Sequence, residues 1–484
     1  MKVQLINPSY QEVYKKVPTV AGINQPMGLA YLAAYMREKG HKVSILDAVA
    51  LQIPMKELHK HIPKDVDVVG VGAVTPTVKK ACDVLQIARN VNPNVKTFLG
   101  GDHMTALPFE TMKEFPIVDY GVISEGELTT VELLDKLEKR GKKDLSKVNG
   151  MIYRDNGQIR MTAPRPLIEN LDMLPMPAYD LLPMELYRPP AHHSSFQVSG
   201  VKLQPFSIFF SLRGCPYRCN FCASKVMWTR KVRYWSVERT LEEIDYLVDK
   251  FNIHCLEFND EIFVINKSRM NPILDGLIKR DYDLHWNCLT RVNHCDRESL
   301  EKMKRSGCYF VRFGVESGSQ KILDAMEKDQ TPAQIKAAFK LIHEVGIPAS
   351  ASFILGYPGE TKETFEETIK LAKEINPQLA YFFLAIPIVG TGLYDITVKE
   401  NLISDPNWDN WVQIAEDPLI RSRELTTDQL QELRKKAYKE FYMRPSYLWK
   451  MFVGIKSFEQ VKYYARGALG ALNLITGKSG EATV

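Results

Sequence analysis

Between residues 205 and 395 the chain repeats one unit six times, a short apolar run followed by a stretch whose apolar residues recur at helical spacing. The runs are Ser207–Leu212, Cys255–Phe258, His285–Leu289, Tyr309–Val315, Ser350–Leu355 and Tyr381–Ile386. Between them, Leu241, Ile244, Val248 and Phe251 share a helical face. Leu300 and Met303 share another, between Asp296 as N-cap and Gly307 as stop. Ile335, Phe339 and Ile342 follow the cap pair Thr331-Pro332, and Gly346 ends that helix. Parallel strands need a crossover between them, and a helix is the usual one. Six such units in a row predict a partial (β/α)6 barrel over 205–395, with its active site at the carboxyl ends of the strands.

Residues 1–135 carry a second α/β alternation. Val3–Ile6, Val43–Leu46, Val66–Val71 and Thr97–Leu99 read as buried strands. Leu29, Leu32, Ala33 and Met36 mark a helix that Gly40 stops. This pattern predicts a doubly wound parallel sheet, and such sheets bind ligands beyond the carboxyl ends of their strands. Those ends carry Asn7, then Gly72 and Thr75, then Gly100, Gly101 and His103, then Glu125 and Gly126. Glycines there allow a large ligand to approach the backbone closely.

From 136 to 204 the periodicity fails, and Pro164, Pro166, Pro175, Pro177, Pro183, Pro189 and Pro190 punctuate an irregular connector. His192 and His193 lie in it and read as solvated. Residues 396–484 read as a helical C-terminal region. Its segment 444–478 combines aromatics (Tyr447, Trp449, Phe452, Phe458, Tyr463, Tyr464) with six basic residues against the single acid Glu459. That mixture suits a helix packed on the barrel or peripheral contact with an anionic bilayer. A net charge of +5 over 484 residues is too mild to argue for nucleic acid as a partner. No run of 18 apolar residues predicts a membrane span. The start, Met1 to Tyr10, carries no secretory hydrophobic stretch, and a cytoplasmic location is expected.

The cysteines separate into two groups. Cys82, Cys255, Cys288, Cys295 and Cys308 are scattered and read as buried small hydrophobes. Cys215, Cys219 and Cys222 form a CxxxCxxC loop directly after the first barrel strand. Three thiolates can hold three irons of a 4Fe–4S cluster and leave the fourth open to a small chelating molecule. A closed zinc site wants a fourth ligand, and no further Cys or His stands at zinc-finger spacing. The basic run Lys225, Arg230, Lys231 and Arg233 after this loop reads as a solvated helix face.

The loop, with Phe221 before its last cysteine, resembles the signature of the radical S-adenosylmethionine (SAM) superfamily. In that family SAM chelates the open iron and is cleaved to methionine and a 5′-deoxyadenosyl radical. The resemblance implies SAM contacts at Phe221, at Asp260 and Glu261 for the amino group, at Arg291, at Glu316 for the ribose, and at Gly356 and Pro358 on the adenine side. The N-terminal sheet and the connector Leu171-Asp172-Met173-Leu174-Pro175-Met176-Pro177 are similar to the family's cobalamin-binding branch. Cobalamin contacts are then implied at Asn7, Gly72, Thr75, Gly100, Gly101, His103, Glu125 and Gly126. The branch's Asp-x-His-x-x-Gly box is missing from residues 1–135, so no histidine of this chain is expected on cobalt.

The resemblance implies an enzyme that methylates an unactivated carbon of a small-molecule or lipid-like substrate, with an external electron donor such as flavodoxin or ferredoxin. A second reading keeps both cofactors but ends in cyclisation or rearrangement. The segment Phe441-Tyr442-Met443-Arg444-Pro445 resembles the anaerobic magnesium-porphyrin ester cyclase branch and lipid-modifying relatives. A third, a cobalamin or redox sensor, leaves the ordered acidic and glycine loops without a purpose. Anaerobically reconstituted protein should bind about four irons per chain. Replacing Cys215, Cys219 or Cys222 by Ala should abolish this, and Cys82→Ala should not, as read by iron and sulfide analysis.

Overall fold

The computed structural model describes residues 1–9, 23–139, 144–187, 205–412 and 417–453. Its first sheet contains β1 (Lys2–Asn7), β2 (Lys42–Asp47), β3 (Val68–Gly72), β4 (Lys96–Gly100), β5 (Tyr120–Val122), β6 (Met151–Asp155) and β7 (Gln158–Met161). They lie in the order β2-β1-β3-β4-β5-β6-β7, and β1 to β5 run parallel. Val3, Leu5 and Ile6 of β1 and Val68, Val69 and Val71 of β3 are all buried, as strands covered by helices on both faces must be. The strand order reverses between β1 and β3, which puts Asn7 and Gly72 on the crevice where such sheets bind ligands.

The sheet extends beyond residue 135. β6 and β7 add an antiparallel hairpin to β5, in a segment whose prolines suggested only irregular chain. Asn156 and Gly157 turn it with φ of 49° and 82°, the left-handed pair a two-residue hairpin turn needs. That Asn-Gly pair, between Met-Ile-Tyr-Arg and Gln-Ile-Arg-Met, was the signal available in the sequence. His192 and His193 lie outside the described residues.

The second sheet is the expected six-stranded partial barrel. It comprises β8 (Phe206–Phe209), β11 (Cys255–Phe258), β12 (His285–Thr290), β13 (Cys308–Glu316), β14 (Ala349–Leu355) and β15 (Leu379–Leu384), all parallel, in the order β15-β14-β13-β12-β11-β8. The expected helix caps form: Asp296 accepts from Ser299 N, and Thr331 makes a capping box with Gln334. The first apolar run divides in two. After β8, Leu212–Arg213 leaves the sheet as β9 and pairs antiparallel with β10 (Arg233–Tyr234).

Both open edges of this sheet are closed by side chains. Gln25, from the N-terminal region, donates to Phe206 O at 2.8 Å and accepts from Ile208 N at 3.1 Å, covering β8. On β15, the Tyr442 hydroxyl accepts from Ala380 N (3.0 Å) and donates to Ala380 O (2.8 Å), and Tyr438 accepts from Phe382 N (3.3 Å). Tyr447 donates to Gln378 O just before the strand, at 2.9 Å. Exposed ladder groups template aggregation, and these tyrosines remove them. They come from helices Thr427–Tyr442 and Pro445–Val453, so the start of the aromatic segment docks on the barrel and lends no support to membrane docking. Trp449 and Phe452 of the second helix stay exposed; Phe458, Tyr463 and Tyr464 lie outside the described residues. Among the described residues no helix is long and apolar enough to cross a membrane.

The two sheets are joined by a buried ionic network. Arg213 Nη1 donates to Glu125 (2.7 Å) and Nη2 to Glu127 (2.6 Å), and Arg233 Nη1 donates to both oxygens of Glu125 (2.8 Å). Glu125 also accepts from Ile168 N at 2.7 Å. The Arg213 guanidinium lies between 5.1 and 5.3 Å from the rings of Tyr31, Trp228 and Trp235. Arg233 is thus sealed in the interior rather than on a solvated face, because two carboxylates from the first sheet neutralise the two arginines. Glu125→Ala should cost ~3–5 kcal/mol, the usual result of leaving buried charge unpaired. Glu169→Ala, which removes the exposed partner of Lys231, should cost less than ~1 kcal/mol. Urea unfolding of both variants checks the contrast.

Candidate active site

The β9–β10 pair closes the neck of a loop, residues 214–232, that carries the three cysteines. Gly214 stands at the neck with φ +98°, and a Cβ there would lie 2.2 Å from Lys231 O, so only glycine fits. Asp260, at the end of β11, holds the other side. Its carboxylate accepts from Ser211 N (2.6 Å), Leu212 N (3.1 Å) and the Ser211 hydroxyl. Arg269 takes the carbonyl of Ser211 at 2.7 Å. With both backbone groups of Ser211 bonded to side chains, the chain must leave the barrel ladder here, which is why β8 stops at Phe209. Asp260 is fully buried, and burial pushes its carboxyl up to about 6. Its oxygens are committed to the loop. Glu261 accepts from Ser224 Oγ at 3.4 Å, and burial pushes it up to about 7.

Within the loop, Asn220 is held on every side. Its N–H donates to Met326 O (3.1 Å), its Nδ2 to Ala325 O (2.8 Å), and its Oδ1 accepts from Tyr357 (2.9 Å). Phe221 packs beside Ile322, Met326, Tyr357 and Leu393, anchoring the turn into Cys222. All three thiols are partly exposed, and burial raises Cys215 and pushes Cys222 up to about 11. Metal ligation is what would deprotonate such thiols. Among the described residues no three His, Cys, Asp or Glu side chains converge on one ion. Three cysteines are the ligand set of a cubane with one open iron, whereas a closed zinc site takes four ligands. Arg291, at the end of β12, supplies a further fit: its Nη1 donates to Cys219 Sγ at 3.1 Å.

The other strand ends of the barrel converge on this loop. A bulge between Gly314 and Glu316 turns the end of β13, and Glu316 takes φ +69°, a left-handed conformation unusual for glutamate. Its buried carboxylate pairs with Lys328 Nζ at 2.8 Å. Beyond β14, Gly356 donates its N–H to Glu360, Pro358 lies in the same turn, and Leu430 packs against Gly356. Glu360 is sealed, its Oε1 has no partner, and burial pushes it up to about 8.

The strand ends of the first sheet give a different picture from the one expected. Asn7 donates to Asp47 at 2.9 Å, and Asp47 also accepts from Tyr187 (2.8 Å), Val49 N and Ala50 N. Glu125 is not free for a corrin, because it belongs to the ionic network. Gly101, at φ +94°, allows the chain to approach itself rather than a ligand: a Cβ would lie 2.7 Å from Ala73 O. Gly126 is the N-cap of helix Glu127–Glu138, while Gly72 and Gly100 end their strands. His103 is fully buried, with Nδ1 3.2 Å from the Thr75 hydroxyl and its ring 4.6 Å from Trp408. Burial lowers it to about 4, so the imidazole is neutral, and its Nε2 has no partner. Sequence reasoning missed Trp408, Asp47 and Arg213, since each acts through a partner far away in the chain, and Lys328, whose partner Glu316 lies across the turn after β13.

The crevice nevertheless meets the cysteine loop. Ser124 Oγ, just beyond β5, donates to Met227 O at 2.9 Å, in the short helix Ser224–Trp228 that follows Cys222. A Cβ at Gly390 would lie 3.0 Å from Val226 and 3.2 Å from Ala106, so three segments touch there. The unpartnered Nε2 of His103 and the nearby strand ends suit a large ligand inserted between the two sheets.

Comparison with known proteins matches residues 210–372 to the radical SAM superfamily and residues 17–134 to the B12-binding domain. An uncharacterized methyltransferase of Pyrococcus horikoshii is 39% identical, over 93% of this chain and 94% of that protein. The anaerobic magnesium-protoporphyrin IX monomethyl ester cyclase of Rubrivivax gelatinosus is 30% identical, over 96% of this chain and 81% of its own. Among solved structures, the cobalamin-dependent SAM radical enzyme OxsB shares the fold with a TM-score of 0.71 at 19% identity, covering 98% of this chain and 72% of that one. The chain belongs to the radical SAM superfamily, in the branch that carries a B12-binding domain ahead of the radical SAM domain.

Proposed function

We propose that this enzyme methylates an unactivated carbon of a small-molecule or lipid-like substrate. The observation that carries the reading is the contact between Ser124 beyond β5 and Met227 beyond Cys222, which sets a B12-type crevice against the cluster loop. When bound, SAM at the cluster supplies a 5′-deoxyadenosyl radical and cobalamin supplies a transferable methyl group. The chain's own residues position these groups. Cys215, Cys219 and Cys222 hold the cluster, and Glu261 faces the ammonium of SAM. Glu316, aimed by Lys328, accepts from the ribose hydroxyls. Gly356 and Pro358 border the adenine, with Phe221 at the base of the site. Gly72, Gly100 and Gly126 offer backbone to the corrin. The enzyme needs a one-electron donor of the flavodoxin or ferredoxin type, which suits a cytoplasmic location.

The Rubrivivax relative favours a second reading, cyclisation or rearrangement without methyl transfer. Product stoichiometry separates the two. Methyl transfer should yield one 5′-deoxyadenosine and one S-adenosylhomocysteine per product, since one SAM makes the radical and another restores the methyl group. Cyclisation should release no S-adenosylhomocysteine. Chromatography of the spent reaction reads both.

The adenine-side turn carries a pH dependence of its own. Folded Glu360 keeps its proton up to about pH 8, whereas the unfolded chain releases it near the ordinary value of 4.5. In that window the unfolded state binds fewer protons, so stability should fall as pH rises from about 4.5 to about 8. Glu360→Gln, neutral throughout, should flatten the fall, as read by thermal unfolding at pH 5 and pH 8.

A further inference from the structure

Arg291 is 4% exposed, yet its guanidinium finds one hydrogen-bond acceptor, the sulfur of Cys219 at 3.1 Å. Its Nε and Nη2 are buried and have no hydrogen-bond partner among the described residues. The guanidinium lies 3.7 Å from the centre of the Tyr217 ring, and the Tyr217 hydroxyl is 2.6 Å from His294 Nε2. Tyr217 is itself part of the cysteine loop, so the loop holds the cation against one of its own sulfurs. Burying a guanidinium with most of its donors unmet is costly unless negative charge is supplied at the same place.

We propose that Arg291 is a potential-tuning residue, a fixed cation that raises the reduction potential of the cluster held by Cys215, Cys219 and Cys222. The inference rests on the assignment of the cluster to those residues. An oxidised 4Fe–4S cluster on three thiolates carries net negative charge, and accepting one electron from a flavodoxin- or ferredoxin-type donor adds another. A buried cation hydrogen-bonded to a ligand sulfur stabilises the more negative state, and hydrogen bonds to the sulfurs are among the factors that set such potentials. Tyr217 contributes by confining the guanidinium through its ring face, a contact that costs little desolvation.

The test is a redox titration of the reconstituted full-length protein without SAM, following the reduced cluster by electron paramagnetic resonance. At fixed potential, Arg291→Gln should lower the ratio of reduced to oxidised cluster at least tenfold, a downward shift of ~59 mV for one electron. Tyr217→Leu should move it the same way, by releasing the guanidinium. Arg218→Gln, which removes an exposed arginine from the same loop, should leave it unchanged. Arg291→Lys keeps the charge and should retain most of the potential. A midpoint in Arg291→Gln equal to that of the wild type, with iron content intact, overturns the proposal. If Arg291→Gln takes up no iron, an unchanged midpoint in Tyr217→Leu overturns it instead. Failure of the wild type itself to assemble a cluster would refute the cluster assignment, a separate outcome.

Discussion

Four ionisable side chains sealed from water, Arg213, Arg233, Glu125 and Glu127, determine how the two halves of the molecule meet. Each arginine alone would be prohibitively costly to bury, as would each glutamate, and only together do they form a neutral set, with Arg213 Nη1 and Nη2 and Arg233 Nη1 directed at carboxylate oxygens. Glu125 comes from the turn after β5 and Glu127 opens the helix that follows; the arginines frame the neck of the cysteine loop. The crevice of the first sheet therefore cannot shift relative to that loop without exposing an unpaired charge to an apolar interior. An aromatic box of Tyr31, Trp228 and Trp235 around Arg213 keeps water from relieving that penalty.

The same logic recurs nearer the chemistry. Asp260 and Arg269 remove Ser211 from the barrel ladder, and the chain turns away to form a loop instead of a longer strand. Gln25 then closes the edge that this departure leaves at β8, and Tyr438 and Tyr442 close the opposite edge at β15. An open six-stranded sheet has two edges by necessity, and here each is covered by a segment distant in sequence. The barrel is complete only when the N-terminal region and the C-terminal helices are in place.

Much of this was legible in the residues alone. The six barrel strands appear where apolar runs predicted them, because strands buried on both sides of a parallel sheet leave few positions for polar residues. The caps at Asp296 and Thr331 were legible too, since capping depends on residues three apart. The hairpin at Asn156-Gly157 was legible but overshadowed by the run of prolines that begins after it, at Pro164. Asp260 and Glu125 show the limit. Each is an acid at a strand end, which reads equally well as a ligand contact or as a partner for buried backbone or arginine. In the structure Ser211 engages the first, and Arg213 and Arg233 engage the second.

By itself, then, the amino-acid sequence determined the local periodicities, the three-cysteine loop and the succession of one α/β sheet before a partial barrel. Those features depend on neighbours within a few residues, where spacing and residue type carry the physics. The tertiary structure decided which polar groups are consumed in holding the halves together. His103 lies under Trp408, some three hundred positions later, and Arg291 touches Cys219 from another strand. The energy of a buried charge or an imidazole depends on what surrounds it in space, and no spacing along the chain encodes that.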